Sequence, residues 1–189
     1  MALKDVRQTT TDLALSALYP NGAGYDAGTA AAAGAGTQTA DGPASMQAPS
    51  HDQRIQQAIS YFQSQGWSRQ QAIGIVANLD AESGMDPNVH QRGGGPGYGL
   101  AQWESPRQHD FQAWAGHDIH NSTFEEQLQF AQHELTSTQS AAGRALQRAT
   151  AADNAASIVT RLYEGPRDKA GEAVRRAERA RQIESQVGR

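Results

Sequence analysis

Ser68-Arg69-Gln70-Gln71-Ala72-Ile73-Gly74-Ile75-Val76-Ala77-Asn78-Leu79-Asp80-Ala81-Glu82-Ser83-Gly84 carries every signal of one complete helix. Ser68 is placed to accept from the backbone three residues on, and Gln71 to reach back, the reciprocal box that opens helices. Ala72, Ile75, Val76 and Leu79 recur at helical spacing. Gly84 supplies the left-handed residue on which helices commonly end. The same punctuation continues on both sides. Asp52 is placed to cap a preceding helix with the face Ile55, Ala58, Ile59 and Phe62, ended by Gly66. Downstream, Ser105-Pro106 with Gln108 opens a helix through Phe111 and Trp114 to Gly116, with proline in the first turn where its missing N–H costs nothing. Thr123 with Glu126 opens another, carrying Phe124, Leu128, Ala131 and Leu135. Residues 141–149, 153–163 and 168–187 repeat the pattern. No segment alternates for long as a strand does, so the fold class is all-α, with at most a small β-hairpin in residues 90–99.

Outside this region the composition changes. Residues 21–50 are mostly Gly, Ala, Thr, Ser and Pro, with Tyr25 the sole aromatic. Such a segment buries too little apolar surface to offset backbone ordering, and reads as a flexible linker. Before it, Thr11 or Asp12 opens a short helix through Leu13, Leu15 and Leu18, stopped by Pro20-Asn21-Gly22. A lone helix of that length is marginal in water, so it is expected to dock on a protein partner. The expected organisation is a docking helix over 1–20, a linker over 21–50 and a folded domain over 51–189.

Composition excludes several function classes. With 16 basic and 20 acidic residues the net charge is −4, against the positive field that bulk nucleic-acid binding needs. No apolar run is long enough to span a membrane. Charges stand at Lys4, Asp5 and Arg7, where a secretory signal needs an apolar stretch, so none is expected. The absence of cysteine removes disulfides, thiolate zinc sites and thiol catalysis. His117 and His120 flank Asp118 without an assured third ligand, and His133-Glu134 lacks the downstream histidine of a zinc protease. Residues 93–99 are glycine-rich but lack the Gly-Lys-Ser/Thr ending of a phosphate loop. No metal, cofactor or peptidase triad is therefore expected.

Glu82 is the informative residue. It follows Leu79 by three positions and Ile75 by seven, so it falls on the apolar face of its helix. It also lies in the last turn, at the negative end of the helix dipole. Burial and dipole both favour a protonated carboxyl near neutral pH, which is what a general acid needs. The competing reading is a carboxylate that merely accepts an arginine or a backbone donor.

The neighbouring motifs weigh on that choice. Glu82-Ser83-Gly84 and the later Gly99-Leu100-Ala101-Gln102-Trp103 resemble the Glu-Ser and Gly-Leu-x-Gln motifs of lytic transglycosylases and goose-type lysozymes. Tyr163-Glu164-Gly165-Pro166 is similar to the Tyr-Glu-x-Pro element of the phage-tail lysozyme domain. The resemblance runs from about residue 52 to 180 and implies a lysozyme-like helical fold. It implies that Glu82 protonates the glycosidic oxygen between N-acetylmuramic acid and N-acetylglucosamine in peptidoglycan. On the same basis Ser83 would orient or hydrogen-bond that carboxyl, and Gln102 and Tyr163 would face substrate. Tyr98, in the glycine-rich wall, is a further substrate-binding candidate. Glu164 would buttress the cleft through an arginine, with Arg107 as the candidate partner, the alternative being that Arg107 is an ordinary surface residue of a new helix. Trp103 is expected in the core, the alternative being a platform for a sugar ring.

Ordinary glycosidases use two carboxylates. Asp86, Glu104 and Glu164 are the candidates for a second, Asp86-Pro87 reading more simply as a turn and the other two as solvated or structural groups. One-carboxylate chemistry, with a single Glu acting as acid then base, stays open, as does hydrolysis against transglycosylation. Residues 161–189 hold eight basic and five acidic residues and read as a solvated face of intrahelical ion pairs. The leading expectation is a virion-associated or lysis enzyme of a phage, carried in the virion or made in the host cytoplasm and acting on the wall in the periplasm. The alternative is a virion or secretion-machine structural protein that keeps the fold without turnover.

Overall fold

The computed structural model describes residues 48–164 and 168–188. The expected docking helix over 1–20, nearly all of the expected linker over 21–50, and Gly165 and Pro166 of the late motif lie outside the described residues. Among the described residues seven α-helices follow in order: α1 (His51–Ser64), α2 (Arg69–Ser83), α3 (Ser105–Ala115), α4 (Phe124–Thr136), α5 (Ser140–Leu146), α6 (Ala152–Val159) and α7 (Lys169–Val187). A single 3-10 turn, Ile119–Asn121, precedes α4, and one wider π turn, Thr160–Glu164, continues α6.

The caps of α2 and α4 are the expected boxes, Ser68 with Gln71 and Thr123 with Glu126. At α1 the cap differs. Ser50, not Asp52, holds the cap position and forms a box with Gln53, because serine three residues before a glutamine satisfies two backbone donors at once. Asp52 sits instead in the first turn, where its charge suits the helix dipole. The hairpin reduces to two isolated bridges, His90 to Tyr98 and Tyr98 to Trp103.

α2 is the axis of the domain. Every residue from Gln71 to Leu79 is buried, so the helix is covered on all sides and not only on the expected face. α1, α6 and α7 pack around it. The polar residues this buries are paired. Gln71 donates to the carbonyls of Gln147 and Ala149, and Asn78 donates to Gly74 and Ala156 while accepting from Thr160 at 2.8 Å. The approach of α6 is very close at Gly74, where an added Cβ would lie 2.4 Å from Ala155 Cβ and 2.7 Å from its backbone. Gly74→Ala is therefore expected to destabilise the protein by about 1–3 kcal/mol through overpacking. Urea denaturation checks this, and an unchanged midpoint would contradict the close contact.

α7 carries the solvated, ion-paired face expected of it and a buried face besides. Ala173, Arg176, Ala180 and Ile183 are buried, and Arg179 reaches Asp80 on α2 at 2.5 Å. His51 on α1 meets the other oxygen of Asp80 at 2.6 Å, so one carboxylate ties three helices. The remaining charges do form surface pairs, such as Arg175 with Glu172 and Arg181 with Glu178. Surface pairs of this kind contribute little to stability.

Candidate active site

α2 ends on two consecutive left-handed residues, Gly84 at φ 61° and Met85 at φ 59°. Such a backbone is costly for methionine. Full burial of its side chain and a hydrogen bond from Arg54 to the Met85 carbonyl hold it in place. The sharp exit leaves Glu82 in the last turn facing a cleft of about 490 Å³. Ser83, His90, Gln91, Arg92 and Gln102 line it with Glu82. The two motifs flanking the glycine-rich loop thus meet across one cavity.

The opposite wall is pinned from beneath. Gln127, fully buried on α4, accepts from Leu100 N at 2.9 Å and donates to Pro87 O and the Ser122 hydroxyl. Gly99 stands over it at φ 74°, where a Cβ would fall 2.5 Å from Gln127 Oε1; only glycine meets both demands. Gln102, itself at φ 47°, donates through its amide to Val89 O and Gly99 O. Both amide hydrogens are thereby committed to the loop, which leaves Oε1 as the group to accept from a ligand.

Glu82 is partly enclosed, with 22% of its side chain exposed, and its Oε1 accepts from Arg176 Nη2 at 2.7 Å. Burial raises its carboxyl above the ordinary range, against the lowering pull of Arg176. Arg176 is almost wholly buried, and its other terminal nitrogen donates to Asn78 O. The arginine comes from α7, ninety-four residues beyond the glutamate. The expected Ser83–Glu82 hydrogen bond is replaced: the serine hydroxyl donates back to Leu79 O at 2.8 Å, a bond available to any serine one turn along a helix.

Tyr98 is buried behind the cleft wall. Its hydroxyl donates to Asn88 at 3.3 Å and its ring packs on His90 and His120. Tyr163 is buried too, in a cluster that the sequence reading did not contain. Glu134, with 2% of its side chain exposed, receives Trp103 Nε1 at 2.8 Å, two bonds from Arg107 at 2.7 Å and the Tyr163 hydroxyl at 2.5 Å. Arg107 also lies 4.6 Å over the Tyr163 ring. Its partner is thus Glu134 and not Glu164, because a planar guanidinium pairs best where two oxygens accept it in parallel. Trp103 is fully buried, as expected of a core residue.

The carboxylate candidates separate clearly. Asp86 accepts from Asn88 N and makes a turn, and Glu104 is exposed at the start of α3. Glu164 points inward, and its Oε1 is enclosed without a hydrogen-bond partner. Burial and the charge of Glu82 push its carboxyl up to about 8. His117 pairs with Glu126, and His120 with Asp118. Among the described residues no three His, Asp or Glu side chains gather as a metal site, and no helix is long and apolar enough to cross a membrane.

No curated protein matches the chain. Residues 53–186, from the first turn of α1 to the last of α7, match the phage tail lysozyme family. With that match covering well over half of its length, and with a helical domain whose two motif segments close one cleft, the chain belongs to the phage tail lysozyme family and has a lysozyme-like, peptidoglycan-directed role.

Proposed function

We propose that the protein cleaves the glycosidic bond between N-acetylmuramic acid and N-acetylglucosamine, with Glu82 as the general acid. The observation that carries this reading is a partly buried carboxyl, raised in pKa by that burial, at the wall of an open cleft. A carboxyl so placed holds its proton at higher pH than a solvated one and can deliver it to a leaving oxygen. Gln102 Oε1 across the cleft would accept from a sugar hydroxyl or acetamido N–H. Ser83 would contribute through the helix end, and the buried Tyr98 and Tyr163 would support the walls.

Residues 1–20 would dock the enzyme on a virion or tail component, with residues 21–50 as the tether. The enzyme would then travel in the virion, or leave the host cytoplasm at lysis, and act on the wall in the periplasm. One observation favours the non-catalytic alternative: Glu82 already holds an arginine, as a structural carboxylate would.

Incubating isolated peptidoglycan with the purified chain, and separately with residues 51–189, tests both readings. Mass spectrometry of the soluble products is expected to show disaccharide-peptides from both proteins. Products lighter by one water identify transglycosylation, and products with a reducing end identify hydrolysis. No release from active-site-intact, folded protein would favour the structural role, and release only by the full chain would place residues 1–50 in the site.

A further inference from the structure

α2 and the helix formed by α6 and its π turn run side by side in one direction with a fixed register. Gly74 meets Ala155 and Ala156. One turn on, Asn78 bonds the Ala156 carbonyl and the Thr160 hydroxyl. Each step advances four residues on both partners. The next step carries Glu82 on α2 and Glu164 at the end of the π turn. From α7, Arg176 enters beside them and bonds both Asn78 O and Glu82 Oε1.

Two buried side-chain atoms among the described residues have no hydrogen-bond partner, Glu164 Oε1 and Arg176 Nε. One is an acceptor and the other a donor, and both belong to this cluster. A buried guanidinium requires an anion, while two neighbouring carboxylates resist ionising together. The arrangement balances when one of the two carboxyls is charged and the other is not.

We propose that Glu82 and Glu164 hold one proton in common beside Arg176, which makes Glu164 the positioning residue that keeps the acid supplied; this rests on the reading of Glu82 as that acid. Transfer of the proton between them exchanges which carboxyl bears the negative charge and leaves the cluster's net charge unchanged. The surroundings agree. Burial and then Glu82 raise Glu164, which Arg107 from α3 and Arg176 lower and Glu134 from α4 raises further. On the other side, Glu172 of α7 raises Glu82 and lies 3.4 Å from Arg176, while Arg107 lowers it. Tyr163 stays neutral, its hydroxyl pushed well above the usual range by burial and by Glu134.

A shared proton has a kinetic signature. Between the two ionisations of the pair, the fraction of Glu82 carrying the proton is independent of pH. The kcat/KM of the full chain on soluble glycan strands is therefore expected to hold level and to fall only above about pH 8, where the pair gives up its shared proton. In Glu164→Gln, Glu82 titrates alone against Arg176. Its protonated fraction then falls about tenfold per pH unit above its own pKa, so the level region is lost. A folded Glu164→Gln with an unchanged profile overturns the proposal and leaves Glu82 as the acid. A uniform loss at every pH also overturns it, since that marks a structural role alone. Near wild-type turnover by Glu82→Gln removes the underlying reading instead. Should Glu164→Gln not fold, carboxyl carbon NMR of the wild-type chain decides: two-step titration of both glutamates is expected, and independent single steps refute the sharing.

Discussion

Glu82→Gln is expected to lower turnover on isolated peptidoglycan by about 10²–10⁴-fold, the usual contribution of a general acid, while the domain stays folded. The amide keeps the volume and one accepting oxygen, so Arg176 Nη2 retains a hydrogen bond where it now meets Glu82 Oε1 at 2.7 Å. What disappears is the transferable proton. The buried arginine is not left without an anion, because Glu172 lies 3.4 Å away and Glu164 faces the same cluster. For that reason the loss should appear in kcat and not in the melting temperature. Release of soluble muropeptides per unit time, with circular dichroism on the same sample, checks both halves. A variant that turns over near the wild-type rate would sink the assignment of Glu82; one that unfolds would show that its charge is structural.

What the sequence discloses and what it hides follows from the range of each interaction. Caps and apolar faces are local, so α2 and α4 were legible from Ser68 with Gln71 and from Thr123 with Glu126. Glu82 was legible for the same reason: a charge among Ile75, Val76 and Leu79 conflicts with its own helix within two turns. Arg176 presents the same conflict, between Ala173 and Ala180, but far less visibly. Alanines make a faint stripe, and seven other charged residues of α7 lie around it. The signal was there in the spacing, since a cation and an anion that each interrupt an apolar face are candidates for one another. Glu134 had no such local sign. Its partners lie 31, 27 and 29 residues away in sequence, and only the closed fold brings them together. The functional roles of Ser83, Gln102 and Tyr163 rested on motif resemblance, which places residues near a site without saying which of their atoms are already engaged.

Glu134→Gln is expected to destabilise the domain by about 3–5 kcal/mol, the range for breaking a buried ion pair from one side. The carboxylate takes four donor hydrogens and offers none. An amide in its place turns an N–H₂ toward Trp103 Nε1, Arg107 or Tyr163, so at least one donor meets another donor. It also leaves the guanidinium of Arg107, with only 22% of its side chain exposed, without its anion. Removing both charges is a different matter: Glu134→Gln combined with Arg107→Met should recover part of the loss, because the unpaired buried cation is then gone. The cluster bears on the cleft as well as on stability. Trp103 is the neighbour of Gln102, which lines the cleft, and Tyr163 the neighbour of Glu164, so the bonds to Glu134 fix the backbone beside both residues. Urea denaturation measures the stability term. At a temperature where Glu134→Gln is still folded, its activity should fall with a raised KM as well as a lowered kcat, since the walls loosen while Glu82 keeps its proton. A Glu134→Gln protein of wild-type stability would mean that water replaces the carboxylate at little cost, and that the cluster does not hold the cleft.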